Sequence, residues 1–288
     1  MSAVRTVLVT GAGGGIGTAI ARELVNRGAS VLLVGRDRSK LERLAAELSG
    51  SADRVAAFAA DVTVPADRAA LVEFASQWHG GVDALINNAG FNELSMFESQ
   101  RPDHIDRLID TNMRAPLHLC HALLPILLRA PRADIINVGS VFGSIGYPGH
   151  AVYSGTKFAL RGFTEALHRE LVGSTVRAHC LEPRATRTPM NAGAGDRLNA
   201  ELGVAVDDPQ VVANAVCAML TQSRPFAVIG WPEKLFARLN AVLPRLVDGA
   251  LIRQLPAIRR HASSANPTPP SMPQPLPSSL PLIPETGT

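Results

Sequence analysis

Val7-Leu8-Val9-Thr10-Gly11-Ala12-Gly13-Gly14-Gly15-Ile16-Gly17 is the stretch on which the fold turns, and a helical pattern from Thr18 to Arg27 follows it. A short apolar run, a glycine loop and a helix in succession bring backbone N–H groups and a helix N-terminus together, which suits a pyrophosphate. Gly11, Gly15 and Gly17 are spaced G-x-x-x-G-x-G, not the more familiar G-x-G-x-x-G. Taken alone, the same glycines would also serve as a flexible turn.

Working outward, apolar runs of strand length recur at Ser30–Val34, Val55–Ala60, Ala84–Ile86, Ala133–Val138 and Thr175–Leu181, with a shorter one between Pro225 and Gly230. Helical patterns lie between them, including Ser39–Leu48, a long one over Asp103–Leu128, and Tyr153–Leu171. Asp207-Asp208-Pro209 starts a further helix, by Asp capping and a Pro in the first turn. This alternation predicts an α/β fold built on a doubly wound parallel sheet.

Ligands of open α/β sheets sit at the carboxyl ends of the strands, so the residues there are the candidates. The second strand ends at Gly35 and Arg36. An Arg there pairs with the 2′-phosphate of NADP, where an acid would take the 2′-hydroxyl of NAD; Asp37 comes one step too late and points elsewhere. A solvated turn Arg is the other reading. Asp61 either accepts from an adenine amino group or caps the next helix. Asn87-Asn88-Ala89-Gly90 either ties strand ends together and meets a ribose, or is an Asn-rich turn. Asn112, in mid-helix, is exposed or bonded to backbone.

Gly139-Ser140 closes the fifth strand, thirteen residues before Tyr153. Tyr153 and Lys157 are four apart on one helix face, so phenol and ammonium can enter one cleft. A nearby cation favours phenolate and lets a phenol, ordinarily near pKa ~10, exchange protons closer to neutral pH. His150 has no carboxylate placed to orient it, and a loop role is expected of it. Beyond the sixth strand, Asn191–Ala205 is rich in Gly and Ala and reads as a mobile lid.

At 288 residues and 46% hydrophobic, the chain can bury a sizeable core. The first residues leave no room for a signal peptide and no apolar stretch is long enough to span a membrane. The three cysteines are dispersed in apolar runs, as expected of buried thiols in a reducing compartment, with no metal site. A cytoplasmic protein is expected. Of 28 basic and 25 acidic residues, six and two lie between Trp231 and His261, so the remaining 22 and 23 leave the body nearly neutral. No basic stripe or recognition motif for nucleic acid is present.

The expected organisation is a body over 1–230, a basic amphipathic helical extension over 231–261, and a Pro/Ser-rich disordered tail over 262–288. Pro244 divides the extension into two short helices. These cover the cleft or dimerise in preference to lying on an anionic membrane surface.

Thr10-Gly11-x-x-x-Gly15-Ile16-Gly17, Asn87-Asn88-Ala89-Gly90, Ser140 and Tyr153-x-x-x-Lys157, in that order, resemble the short-chain dehydrogenase/reductase family over about Thr6 to Gly230. The resemblance implies a Rossmann-type three-layer α/β/α fold and an oxidoreductase that interconverts a carbonyl and an alcohol. Tyr153 would exchange the proton, Lys157 would lower its pKa and hold the nicotinamide ribose, and Ser140 would bond the carbonyl oxygen. Asn112 would support a water-mediated proton path to Lys157. The implied dinucleotide site comprises Gly11, Gly15, Ile16 and Gly17, then Arg36, Asp61, Asn88, Ala89 and Gly90, and finally Tyr153, Lys157, Pro183 and Thr188. Arg36 points to NADP, with NAD as the alternative.

Arg184 stands where members often have Gly, and would reshape the nicotinamide end of the pocket or bind an anionic substrate group. Gly13 and Gly14 stand where many NADP-preferring members carry a basic residue. The extension resembles members that act on lipophilic substrates. A homodimer or homotetramer acting on a lipophilic small molecule is implied. The rival is a non-catalytic dinucleotide-binding sensor or assembly protein, against which the intact Asn, Ser, Tyr and Lys set argues.

Overall fold

Strand β1 (Thr6–Thr10) is apolar on both sides because it lies between two cores: Val7 and Val9 belong to one, Leu8 to the other, and all three are fully buried. Strand β2 (Ser30–Gly35) divides in the same way, with Val31 and Leu33 on one side and Leu32 and Val34 on the other. Strands covered on both faces need such continuous apolar runs. The computed structural model describes residues 5–49, 54–190, 193–222 and 224–265.

Strands β3 (Val55–Ala59), β4 (Ala84–Asn87), β5 (Ala133–Val138), β6 (Val176–Glu182) and β7 (Phe226–Val228) complete a seven-stranded parallel sheet in the order β3-β2-β1-β4-β5-β6-β7. Helices α1 (Gly15–Asn26), α2 (Arg38–Leu48) and α8 (Pro209–Thr221) cover one face. The other is covered by α3 (Pro65–Gln77), α5 (Ala115–Leu127) and α6 (Ala151–Glu170). The doubly wound three-layer expectation holds. The strand order reverses between β1 and β4, which opens a crevice at their carboxyl ends. At the opposite end, buried Asp134 is neutralised by Arg5 and Arg177 and hydrogen-bonded by His179 Nε2.

The helix expected over Asp103–Leu128 is not uniform. It comprises α4 (Pro102–Ile109), a π turn over Asp110–Arg114, and α5. Pro116 explains the widening, since it has no N–H for the carbonyl of Asn112 four residues earlier. The segment expected as a mobile lid contains a helix, α7 (Ala194–Glu201), while residues 191–192 of that expectation lie outside the described residues.

The extension forms α9 (Trp231–Val242) and α10 (Pro244–Ala265). The second is not short, and it runs past the expected tail boundary at 262. Ala262 is buried with Ala257 and Ile258 against Leu94 and Leu198, and this apolar contact carries the helix onward. The rest of the expected tail, 266–288, lies outside the described residues. Arg260 and His261 both pair with Glu201, tying α10 to α7. Among the described residues, no helix is long and apolar enough to cross a membrane.

Candidate active site

Glycine makes the phosphate end of the crevice by what it leaves out. Gly11 has φ +65°, a left-handed conformation that suits glycine, and a Cβ there would lie 2.9 Å from the Cα of Ala89. A Cβ on Gly17 would lie 2.1 Å from the carbonyl oxygen of Gly11, so the first turn of α1 can pack this closely only without a side chain. Gly14 is the N-cap and supplies no side-chain cap, which leaves the first N–H groups of α1 without a side-chain acceptor. The methyl of Thr188 closes over Gly15, where a Cβ would be 2.9 Å away.

Thr10 fastens this loop to β4. Its hydroxyl accepts from the backbone N–H groups of Asn88 and Ala89, each at 3.0 Å, and the Asn88 amide donates to the Thr10 carbonyl at 3.0 Å. Asn87 turns the other way and donates to Asn137 Oδ1 at 2.8 Å, while Asn137 donates to Thr164 at 2.8 Å. The two asparagines therefore tie strand ends together, as one of their sequence readings required. Asp61 Oδ1 accepts from both the N–H and the hydroxyl of Thr63, so it shapes the turn before α3 without being its N-cap. Burial would push this carboxyl up, but the Thr63 bonds and the charges of Arg36 and Arg107 hold it below the ordinary value.

At the adenosine end, Asp37 is committed to α2, where its carboxylate accepts from Lys40 N at 3.0 Å. Arg36 stands exposed at the crevice, with no ion pair among the described residues. Lys40 is a neighbour that the sequence reading did not single out. Its Cδ lies 3.4 Å from where a side chain on Gly13 would begin, so its stem covers the glycine loop at the position lacking a basic residue. Its only sequence signal is its place in the first turn after the Asp37 cap.

Ser140, Tyr153 and Lys157 converge at the carboxyl end of β5. The Ser140 hydroxyl bonds the Tyr153 phenol and also accepts from Phe142 N at 3.2 Å. Lys157 is buried; its Nζ donates to the Val138 carbonyl at 2.9 Å and stands 5.6 Å from the Tyr153 ring centre. Burial pulls this lysine down to about 8. Burial pushes the Tyr153 phenol up to about 12, and the Ser140 bond opposes this. The Lys157 ammonium, expected to lower this phenol, gives its hydrogen bond to the Val138 carbonyl.

All the sequence-predicted site residues except Asn112 line one cavity of about 780 Å³. Asn112 is fully buried just behind it, where its amide exchanges two bonds with Phe91: Nδ2 donates to the carbonyl at 2.9 Å, and Oδ1 accepts from the N–H at 3.0 Å. Of the two roles open to Arg184, anion binding loses its basis. The guanidinium is held by Asp207 at 2.7 and 2.9 Å and by Glu233 at 3.4 Å, which fastens the exit of β6 to the first turn of α9. His150 has the expected loop role, its Nδ1 bonding Asn92 Oδ1 at 2.9 Å and the Glu93 carbonyl at 3.1 Å.

Comparison with known proteins matches the short chain dehydrogenase family model to residues 5–199. An uncharacterized oxidoreductase of Staphylococcus epidermidis is 35% identical over 220 residues, covering 76% of this chain and 91% of the relative. Among solved structures, a short-chain dehydrogenase from Sphingobium yanoikuyae in complex with NADPH superimposes with a TM-score of 0.71 at 29% identity, over 85% of this chain and 96% of that one. A 3-ketoacyl-(acyl-carrier-protein) reductase from Brucella melitensis complexed with NADH gives a TM-score of 0.72 at 30% identity, over 78% and 95%.

Proposed function

The chain belongs to the short-chain dehydrogenase/reductase family, and from that premise we propose an NADP(H)-dependent oxidoreductase that interconverts a ketone or aldehyde and an alcohol on a fairly apolar substrate. The observation that carries the reading is the convergence of the Ser140 and Tyr153 hydroxyls beside buried Lys157, in the same cavity as the glycine loop. A dinucleotide fits this chain: the uncapped N-terminus of α1 offers N–H donors to its pyrophosphate, and Asn88, Ala89 and Gly90 flank the path toward Tyr153. When bound, the nicotinamide supplies or accepts the hydride.

The residues of the chain manage the proton and the developing charge. Tyr153 gives its proton to the substrate oxygen in reduction and recovers it in oxidation. Ser140 donates to the same oxygen as negative charge grows there, so its bond is strongest in the transition state. A phenol pushed up to about 12 is fully loaded at neutral pH, which suits the reductive direction. Lys157, drawn down to about 8, exchanges protons near neutral pH close to this phenol. Arg36 and Lys40 line the adenosine end of the cavity, where they would meet a 2′-phosphate, and Asp37 gives one carboxylate oxygen to its helix cap. The preference for NADP rests on that pair.

A panel of ketones and aldehydes, followed by NADPH absorbance, identifies a substrate class. Tyr153→Phe should then lower turnover by about a hundredfold or more, the range of a lost general acid. Turnover within about tenfold of the parent would exclude the mechanism. Arg36→Ala and Lys40→Ala should each weaken NADPH binding about tenfold and leave NADH binding unchanged, as expected for one charge-assisted phosphate contact apiece. An unaltered ratio of the two affinities would remove both residues from cofactor choice.

A further inference from the structure

Helix α9 has no buried residue, although it contains five large apolar side chains. At 100° per residue, Trp231, Leu235 and Val242 fall on one stripe. That stripe faces away from the body, with Trp231 73% and Val242 76% exposed. Leu243, Leu246 and Ile252, farther along the extension, are 51%, 65% and 64% exposed. This many large apolar side chains left in solvent on one extension marks an interaction surface.

A second observation lies on the adjacent side of α9. Between α9, α6 and the edge strand β7 is a cavity of about 640 Å³, into which Arg161, Arg224, Lys234 and Arg238 converge beside Phe158 and Phe226. Arg161 pairs with Glu182 at 3.6 Å, while the other three cations have no ion pair among the described residues. Converging like charges in one cavity repel one another, and an anion relieves that repulsion.

We propose that α9 and α10 seat the protein on an anionic phospholipid surface, with the cavity beside α9 receiving lipid phosphate groups and the apolar stripe entering the interface. A helix carrying cations and Trp, Leu and Val around an exposed face, yet unable to span, is built to lie in the interfacial plane. A second copy of the chain is the weaker occupant. A twofold interface would set this patch against itself and bring Lys234, Arg238, Arg245 and Arg253 against like charges. Two acids of α9 and α10 stand against these four cations, and one of them, Glu233, is already held by Arg184. An anionic bilayer complements both the charge and the apolar surface. The inner face of α10 meanwhile packs Ile258 against Leu94 and Leu198, and Tyr147 donates to Gln254 at 2.7 Å. A membrane-seated helix would thus cover the substrate end of the cleft. The docking itself does not depend on the reading of Ser140, Tyr153 and Lys157.

The test is flotation of the full chain with phosphatidylcholine vesicles, with and without phosphatidylserine, at low and high salt. Binding is expected only with phosphatidylserine, weaker in high salt, and accompanied by a blue shift of Trp231 emission that Trp231→Phe removes. Leu235→Glu with Val242→Glu should abolish flotation. Lys234→Gln with Arg238→Gln should weaken it at least tenfold, since each cation near an anionic surface is worth about 1 kcal/mol. Equal binding to neutral vesicles, or none to either, overturns the proposal. So does a dimer in solution that the two glutamate substitutions dissociate, if vesicles do not bind. Tighter binding to polyglutamate than to the anionic vesicles would reassign the face to an acidic protein.

Discussion

Acidification should destabilise this protein through His150, and the size of the effect follows from where the ring sits. His150 is 8% exposed, with Phe142 at 5.3 Å and Tyr153 at 6.3 Å between ring centres. Both partners of Nδ1, Asn92 Oδ1 and the Glu93 carbonyl, are acceptors, so this nitrogen is assigned the proton of a neutral ring. Burial pulls the imidazole from 6.5 down to about 4, although the Glu93 bond favours the charged form. Between those values the unfolded chain is protonated here and the folded one is not. The stabilising contribution is therefore intact above about pH 6.5 and lost as pH falls toward 4. Integrated over that interval, the loss is about 1 kcal/mol at pH ~5.5, about 2 at pH ~5 and about 3 below pH ~4. Urea unfolding of the parent and of His150→Asn, which keeps an N–H near the Nδ1 position but cannot take the charge, isolates this site from carboxylates common to both. Between pH ~7.5 and ~5 the stability difference should move by about 2 kcal/mol in favour of the variant. A difference constant to within about 0.5 kcal/mol would refute the assignment of a buried neutral ring.

Gly17→Ala places a methyl 2.1 Å from the Gly11 carbonyl oxygen and 2.8 Å from the Ala12 Cα, both backbone atoms that cannot swing aside. Calorimetry should show at least about 2 kcal/mol of destabilisation, with dinucleotide affinity falling at least about tenfold as the loop shifts. Arg184→Met leaves Asp207 and Glu233, 12% and 19% exposed, facing each other without their cation. A loss of about 2 kcal/mol is expected, and a cycle with Asp207→Asn should give a coupling of at least about 1 kcal/mol in denaturant unfolding. Asn112→Ala removes both bonds to Phe91 and should cost about 3 kcal/mol by the same measurement, because two backbone groups lose their buried partners.

The parts of this molecule legible in its sequence are those decided by local chemistry. β1 and β2 could be read because a strand buried on both faces has no polar alternative. The Asp208-Pro209 start of α8 could be read because the carboxylate needs only Gln210 N, two residues on, at 2.9 Å. The glycine loop was legible for a similar reason, since a Cβ at Gly11 or Gly17 would strike backbone. The π turn at Asp110–Arg114 had a signal in Pro116, but the signal is ambiguous: prolines also sit in the first turns of α3 and α4 without widening any helix. Lys157 shows where local spacing stops deciding. A four-residue interval puts it on the face of Tyr153, yet the Val138 carbonyl, nineteen residues away in sequence, receives its N–H.

The same limit explains why the C-terminal segment was readable as amphipathic but not as structure. Its inner contacts join residues far apart in the chain. Arg260 and His261 meet Glu201 about sixty positions back, and Gln254 meets Tyr147 more than a hundred positions back. Helical periodicity identifies an apolar face without saying what that face covers. In α10 the covered object is the loop before α6. Gly149 adopts φ +78°, and a Cβ there would lie 2.8 Å from Leu94 and 2.9 Å from Ile258, so α10 presses on the residue next to His150. His150 in turn lies against Phe142 and Tyr153. A helix with apolar surface on its outer side and this contact on its inner side joins whatever binds the outside to the wall of the site through directly packed side chains.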